Sequence, residues 1–361
     1  MKILHITESL GAGVGHFLQL VTRGQVAAGH EVVMAHSIRD DTPVDQLDAQ
    51  FSFLAQRLVV PMVTQVSFVK DVWSVWRLLR LMAQVQPDVI HLHSSKAGVL
   101  GRVAAWLSGT RARVFYSPHG FAFLRQDVSG FKQQLFLMFE RLASKLGGTL
   151  VACSGSEAEL AVQKVGHSRV RLVENATDLN DVQTSTGSSD GVVRVLNAGR
   201  VCYQKGPWRF KAVAHNCADL PARFVWLGAG DLAHELQSAP AENLQLTGWL
   251  TRAEVVQQLA QADVFLMPSL WEGMPLALIE AQAAGVPAVV SNVVGCRDVV
   301  QDGVTGFVCD TDEDLSMRTR QLIVDVELRK RMGDNAAHMA RMRFSVTRMN
   351  DELLHLYADK Q

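Results

Sequence analysis

The chemistry in this sequence concentrates in "WEGMPLALIE", Trp271 to Glu280. Glu272 and Glu280 stand eight positions apart, one in a loop and one inside the helix expected from Leu276 to Ala284. A carboxylate beside Gly273 at a helix start can meet sugar hydroxyls. A second, one to two turns on, can accept both hydroxyls of a ribose. Backbone N–H groups at the helix start, those of Gly273, Met274 and Leu276 around Pro275, remain available to phosphate oxygens. Leu278, Ile279, Ala281, Ala283 and Ala284 are apolar or small, so Glu280 among them needs a partner.

Two further loops add to this. "NAGRVCYQKG" places Arg200 and Lys205 just before an expected helix, which suits a diphosphate clamp. Each charge-assisted hydrogen bond there is worth roughly 1.5–3 kcal/mol; the alternative is two solvated surface cations. "LGAGD" offers Gly228 for close approach of a nucleotide, or a plain turn with Asp231 as helix cap. Near the N-terminus, Gly11-Ala12-Gly13-Val14-Gly15 follows a short strand and precedes a helix, a place where backbone N–H groups can approach phosphate. A tight turn is the alternative. A dinucleotide site fits poorly, because His16 stands where the fingerprint needs its last glycine and His36-Ser37 where it needs an acid. His119, between Pro118 and Gly120, is either a turn residue or a site residue. The acidic run Asp310–Asp314 precedes a helix, so capping explains it better than metal binding.

The elements that must position these loops alternate strand and helix throughout. Strands are expected at Lys2–Ile6, Glu31–Ala35, Leu58–Val60, Val89–Leu92, Val114–Tyr116, Thr149–Cys153 and Val170–Val173. A second series is expected at Val192–Leu196, Ala222–Leu227, Leu244–Thr247, Val264–Met267, Ala288–Ser291 and Gly306–Cys309. Helical patterns such as Trp73–Gln84, Ala97–Leu107 and Phe131–Lys145 lie between them. This rhythm predicts an α/β chain with two doubly wound parallel sheets. Ligands of such sheets bind at the carboxyl ends of the strands. The expected domains are 1–172, a linker at 173–190, 191–345, and a closing helix at 346–361.

At 361 residues, 48% hydrophobic and 20% charged, the chain suits two globular cores and no extended disorder. The apolar run at Ile3–Ile6 has strand length, so no secretory signal is expected and no run has spanning length. Cys153, Cys202, Cys217, Cys296 and Cys309 have no zinc-ligand spacing and read as isolated thiols. Net charge is −1, yet residues 1–172 carry 18 Lys+Arg against 12 Asp+Glu, leaving the remainder acidic. An acidic partner for the first half, such as anionic lipid, is one reading and an ordinary solvated surface the other.

These motifs resemble the family 4 retaining glycosyltransferases. The Glu-(seven residues)-Glu pattern from Glu272 to Glu280 matches that family's hallmark, with "DGVTGFV" (Asp302–Val308), "NAGRVCYQKG" and "LGAGD" in order. "HLHSSKAGVLGR" (His91–Arg102), "SPHGFAF" (Ser117–Phe123) and "VACSGSE" (Val151–Glu157) resemble enzymes of capsular polysaccharide, exopolysaccharide or O-antigen assembly. The resemblance implies a GT-B fold, two Rossmann-like domains facing across a cleft, the first for acceptor and the second for nucleotide sugar. It implies that Arg200 and Lys205 neutralise the diphosphate and that Glu280 holds the ribose. Glu272, with Gly273 to Leu276, would meet sugar and phosphate. Gly13, Val14 and Gly15 would cap the phosphate, His119 would face the sugar, and Trp249 and Leu250 would lie near the base. The sequence departs from the family at Ala12, at "NATD" (Asn175–Asp178) and at Asp298, none of which touches the clamp.

The expected reaction is metal-independent transfer with retention, from a nucleotide-diphosphate sugar (UDP ahead of GDP) to a lipid-linked saccharide, with no further cofactor and no nucleic acid. The expected location is the cytoplasm, with peripheral attachment to the inner membrane face as an added expectation. Two rivals remain at this point: a nucleotide-sugar 2-epimerase of the same fold, and a non-catalytic member of an assembly complex.

Overall fold

The computed structural model describes residues 1–39, 42, 44–63, 67–188, 190–238 and 242–359. They form two compact units, Met1–Asn175 with Val346–Gln361, and Ala176–Ser345. Ser189 of the expected linker and Lys360 and Gln361 of the closing segment lie outside the described residues.

The first unit holds seven parallel strands: β1 (Lys2–Thr7), β2 (Glu31–His36), β3 (Gln56–Val59), β4 (Val89–His93), β5 (Arg113–Ser117), β6 (Thr149–Ala152) and β7 (Val170–Leu172). Their order is β3-β2-β1-β4-β5-β6-β7. The second unit holds β8 (Val193–Ala198), β9 (Ala222–Leu227), β10 (Leu244–Leu246), β11 (Val264–Met267), β12 (Ala288–Ser291) and β13 (Gly306–Cys309), in the order β10-β9-β8-β11-β12-β13. Each sheet reverses its winding once, between β1 and β4 and between β8 and β11. The loops after those strands therefore flank a crevice in each sheet, where ligands of open α/β sheets bind. The inner strands are buried on both faces, which is why they read as continuous apolar runs, whereas the edge strands β3, β7 and β10 are partly exposed.

Two stretches sit differently from their sequence reading. The polar run after Asp181 packs on the second unit: the Ser185 N–H donates to the Ala284 carbonyl at 2.7 Å and the Thr186 N–H to the Ala260 carbonyl at 3.0 Å. The closing helix Val346–Ala358 belongs to the first unit. It docks on helix Ala12–Ala27, where Asn350 donates to the Leu20 carbonyl at 3.4 Å.

Candidate active site

In the second unit the loops after β8, β9, β10 and β11 pack on one another. The Gly199 N–H donates to the Leu227 carbonyl at 2.9 Å and the Val201 N–H to the Ala229 carbonyl at 2.8 Å. Gly228, at φ +143°, lies so close that a Cβ there would stand 2.2 Å from the Gly199 carbonyl oxygen. Gly228 also bridges Gly248 in antiparallel fashion, which brings the Trp249-Leu250 loop alongside. Trp249 is two-thirds exposed, a flat apolar face beside that loop.

Lys205 ends a short 3-10 turn, Tyr203–Lys205, and its Nζ meets Glu272 Oε1 at 2.7 Å, with side chains only 15% and 7% exposed. Burial opposes the ammonium's charge. The Glu272 carboxylate outweighs it, raising the Lys205 pKa above its ordinary value. Gln204 ties the loops together by donating from Nε2 to the Trp271 carbonyl (2.9 Å) and to Glu272 Oε2 (3.3 Å). Arg200 is half-buried on the same loop. The structure thus joins Lys205 to Glu272, two residues that the sequence assigns to different parts of a ligand.

Helix Leu276–Ala283 starts after Pro275 without a side-chain cap. Its first N–H groups have no intrahelical acceptor. Gly273 and Met274 are buried under Gly295, whose missing Cβ would stand 2.1 Å from the Gly273 carbonyl oxygen. One turn on, Glu280 is buried and carries two contacts that sequence reasoning missed. Arg252 Nη1 meets its Oε2 at 2.6 Å, and the Thr177 hydroxyl donates to Oε1 at 3.5 Å. Arg252 opens the helix Arg252–Leu259 directly after Trp249-Leu250-Thr251, so Glu280 joins the β10 loop to the β11 loop.

Two of the minor readings resolve by capping. Asp231 does not cap its helix, which begins at Ala233 after Leu232. Thr311, within the acidic run, caps Asp312–Val324 by accepting from the Asp314 N–H. Arg209 pairs with Asp312 and donates to the Pro268 carbonyl (2.9 Å) and Ser291 (3.0 Å), bracing the β11 loop from below. No disulfide joins any of the cysteines among the described residues. Burial raises Cys217 to about 11, Cys309 to about 12 and Cys296 well above its ordinary value, which leaves them unreactive.

In the first unit the glycines do not form a loop ahead of the helix. Helix Ala12–Ala27 begins within them, capped by Gly11 without a side-chain bond. Gly13 faces open space, Val14 is half-buried, and a Cβ on Gly15 would stand 2.2 Å from the Leu10 carbonyl oxygen. Phe17 of this helix packs edge-on to His119 at 4.6 Å, so the glycine turn and His119 share one region. His119 has φ +54°, a left-handed conformation that non-glycine residues adopt at a cost. Glu157, fully buried, holds that turn. Its Oε1 accepts from the Gly120 N–H at 2.7 Å and its Oε2 from the Cys153 N–H at 2.8 Å. Burial lowers the His119 pKa to about 4, so the ring is neutral.

Comparison with known proteins covers both units. The family model of the "Glycosyltransferase Family 4" matches residues 11–181 and that of the "Glycosyl transferases group 1" matches residues 181–339. The chain is 29% identical over 317 residues, 81% of each chain, to an Escherichia coli UDP-Gal:alpha-D-GlcNAc-diphosphoundecaprenol alpha-1,3-galactosyltransferase. It is 23% identical over 324 residues, 83% of this chain and 84% of the relative, to the capsular polysaccharide biosynthesis glycosyltransferase CapM of Staphylococcus aureus. In fold it is similar to Anabaena HepE, solved with UDP and glucose, with a TM-score of 0.80 at 19% identity over the whole of both chains.

Proposed function

This chain belongs to the family 4 glycosyltransferases of GT-B fold, and from that membership we propose that its second unit holds a UDP-sugar and releases the sugar with retention of anomeric configuration. The observation that carries the reading is the largely sheltered Lys205 ammonium, held charged by Glu272 between the β8 and β11 loops. When the sugar–phosphate bond breaks, negative charge grows on the leaving diphosphate. Lys205, Arg200 and the uncapped start of helix Leu276–Ala283 stabilise it there. Glu280 takes the ribose hydroxyls, Trp249 and Leu250 take the base, and Glu272 passes from Lys205 to the sugar. His119 and the Gly13–Gly15 turn serve the sugar and phosphate from the first unit. The acceptor hydroxyl attacks from the face the diphosphate leaves, and the departing phosphate oxygen takes its proton. A fixed cation pair does the work of a divalent metal, so turnover in excess EDTA should match turnover without it. Transfer by Arg200→Ala, Lys205→Ala and Glu280→Ala proteins tests the assignment, and wild-type rates in all three would end it.

The acceptor in this proposal is a lipid-linked saccharide of surface polysaccharide assembly, reached at the inner membrane face. Relatives named for diphosphoundecaprenol acceptors support it. So does the first unit's surface. Phe68 and Phe131 are 83% and 80% exposed, and Trp73 and Trp76, on the helix that Phe68 opens, and Trp106 also lie open to solvent. Arg77 and Arg80 stack on Trp73 and Trp76 at 3.6 and 4.1 Å, a pairing of apolar faces and cations suited to anionic headgroups. An apolar groove of about 500 Å³, lined by Val72, Val75, Leu100, Val103, Phe136 and Phe139, opens among the helices of this unit. No helix among the described residues is long and apolar enough to cross a membrane. Co-sedimentation with anionic vesicles, weakened by Trp73→Ser with Trp76→Ser, is expected; no binding at any salt concentration would remove the membrane from the proposal.

A further inference from the structure

His5 on β1 and His93 on β4 are fully buried and hydrogen-bonded to each other, Nδ1 to Nε2, at 2.9 Å. His93 Nδ1 continues to His119 Nε2 at 3.0 Å. At the other end, His5 Nε2 meets the Gln25 amide oxygen at 2.8 Å, also fully buried. Four side chains thus lie in series, from the last turn of helix Ala12–Ala27 to the turn after β5. A second arm leaves the chain unaltered: His91 bonds Tyr357 and Ser117 and uses both of its nitrogens.

The rings are neutral. Burial lowers His5 and His119 to about 4, and burial with neighbouring imidazoles lowers His93 well below its ordinary value. A neutral imidazole has one donor and one acceptor nitrogen. In a series of such rings, the polarity at one end therefore sets every ring after it. Gln25 presents its oxygen, so His5 carries its proton on Nε2 and accepts on Nδ1. His93 must then donate from Nε2 and accept on Nδ1, and His119 must donate from Nε2. The 2.8 Å contact of the Gln25 oxygen with His5 Nε2 sets the polarity of the series.

We propose that Gln25 is a positioning residue that acts through His5 and His93 to fix His119 in its Nε2–H tautomer, leaving Nδ1 to accept a hydrogen bond from a substrate hydroxyl. The clause about substrate rests on the role given to His119 above; the tautomer itself does not. The left-handed turn that Glu157 holds keeps the ring in reach of His93 and so keeps the series closed.

The test is 15N NMR of histidine-labelled full-length protein, with His119 assigned by His119→Gln. The wild type should show a protonated Nε2 and an unprotonated Nδ1 on His119. Gln25→Met removes the oxygen at similar volume and should give His119 a mixture of tautomers. Gln25→Glu should do the opposite of nothing: its carboxylate keeps a second proton on His5, turns His5 Nδ1 into a donor, and moves the His119 proton to Nδ1. With the UDP-sugar that stabilises the protein, Gln25→Met should lose about tenfold in kcat, the worth of one hydrogen bond, with KM within about twofold. A proton on Nδ1 of wild-type His119 overturns the proposal, as does a His119 spectrum unchanged in whichever of the two variants folds. If no sugar is transferred at all, the reading of function fails while the spectra still decide the relay.

Discussion

Replacing Lys205 by Met separates what the ion pair does for the fold from what it does for the reaction. The Lys205–Glu272 contact is 2.7 Å long and largely sheltered, with side chains 15% and 7% exposed. Breaking a buried pair by removing one partner leaves an uncompensated carboxylate and costs about 3–5 kcal/mol; residual solvent contact puts this one near about 3. Removing Glu272's charge as well, in Lys205→Met with Glu272→Gln, should restore most of that loss, because Gln204 still donates to the position-272 side chain. Activity should not follow. A cation on the departing diphosphate contributes roughly 1.5–3 kcal/mol to the transition state, so both proteins should turn over roughly 10- to 150-fold more slowly. The assay pairs urea unfolding with the rate of nucleoside diphosphate release in the presence of acceptor. Recovery of rate in the double variant, or a Lys205→Met rate within about threefold of wild type, would refute the reasoning.

Glu280→Ala should raise KM for the donor more than it lowers kcat, by roughly 10- to 150-fold in kcat/KM, and a 2′-deoxy donor should lose less in this variant than in wild type. In the first unit, Glu140 is buried and accepts from Arg102 at 2.9 Å and from Tyr116 at 2.7 Å, so Arg102→Met should destabilise by about 3–5 kcal/mol in urea titration, with Arg102→Met/Glu140→Gln recovering most of it. Stability should also depend on pH through His5. Its folded pKa of about 4 lies below the ordinary 6.5, so the unfolded chain binds the extra proton between those values. The contribution is complete above pH 6.5 and is lost as pH falls toward 4, about 3 kcal/mol in all at 1.36 kcal/mol per unit. Urea midpoints that stay level from pH 7 to pH 4.5 would contradict it.

The inner strands were legible because parallel strands buried on both faces must be apolar throughout, and runs such as Val264–Met267 have no competing reading once Pro268 follows. The loops carrying Arg200, Lys205, Glu272 and Glu280 were legible because they follow strands. What those residues touch was not. Arg252 lies 28 positions before Glu280 and on a different helix, and β10 and β11 are not neighbours in the sheet, so nothing in the local pattern pairs the two. Glu157 reads in sequence as an ordinary first-turn acid of a helix; its grip on Gly120 depends on β5 and β6 being neighbours. The helix start at Ala12 was hidden because three glycines suggest a loop, although Gly15 is needed there only for its close approach to Leu10. The polar run near Ser185 looked like a free linker because its hydrogen bonds use backbone groups, which composition does not report.

The central claim is that the loops after β8 to β11 hold a nucleoside diphosphate sugar. The most direct measurement is thermal stabilisation of the full chain across a panel of UDP-, GDP- and dTDP-sugars, with UDP, uridine and inorganic diphosphate alongside. UDP-sugars should raise Tm most, UDP should follow, and uridine should do little; the rise should shrink in Arg200→Ala and Lys205→Met. A panel in which no nucleotide raises Tm, or in which the rise survives both substitutions, would contradict the account.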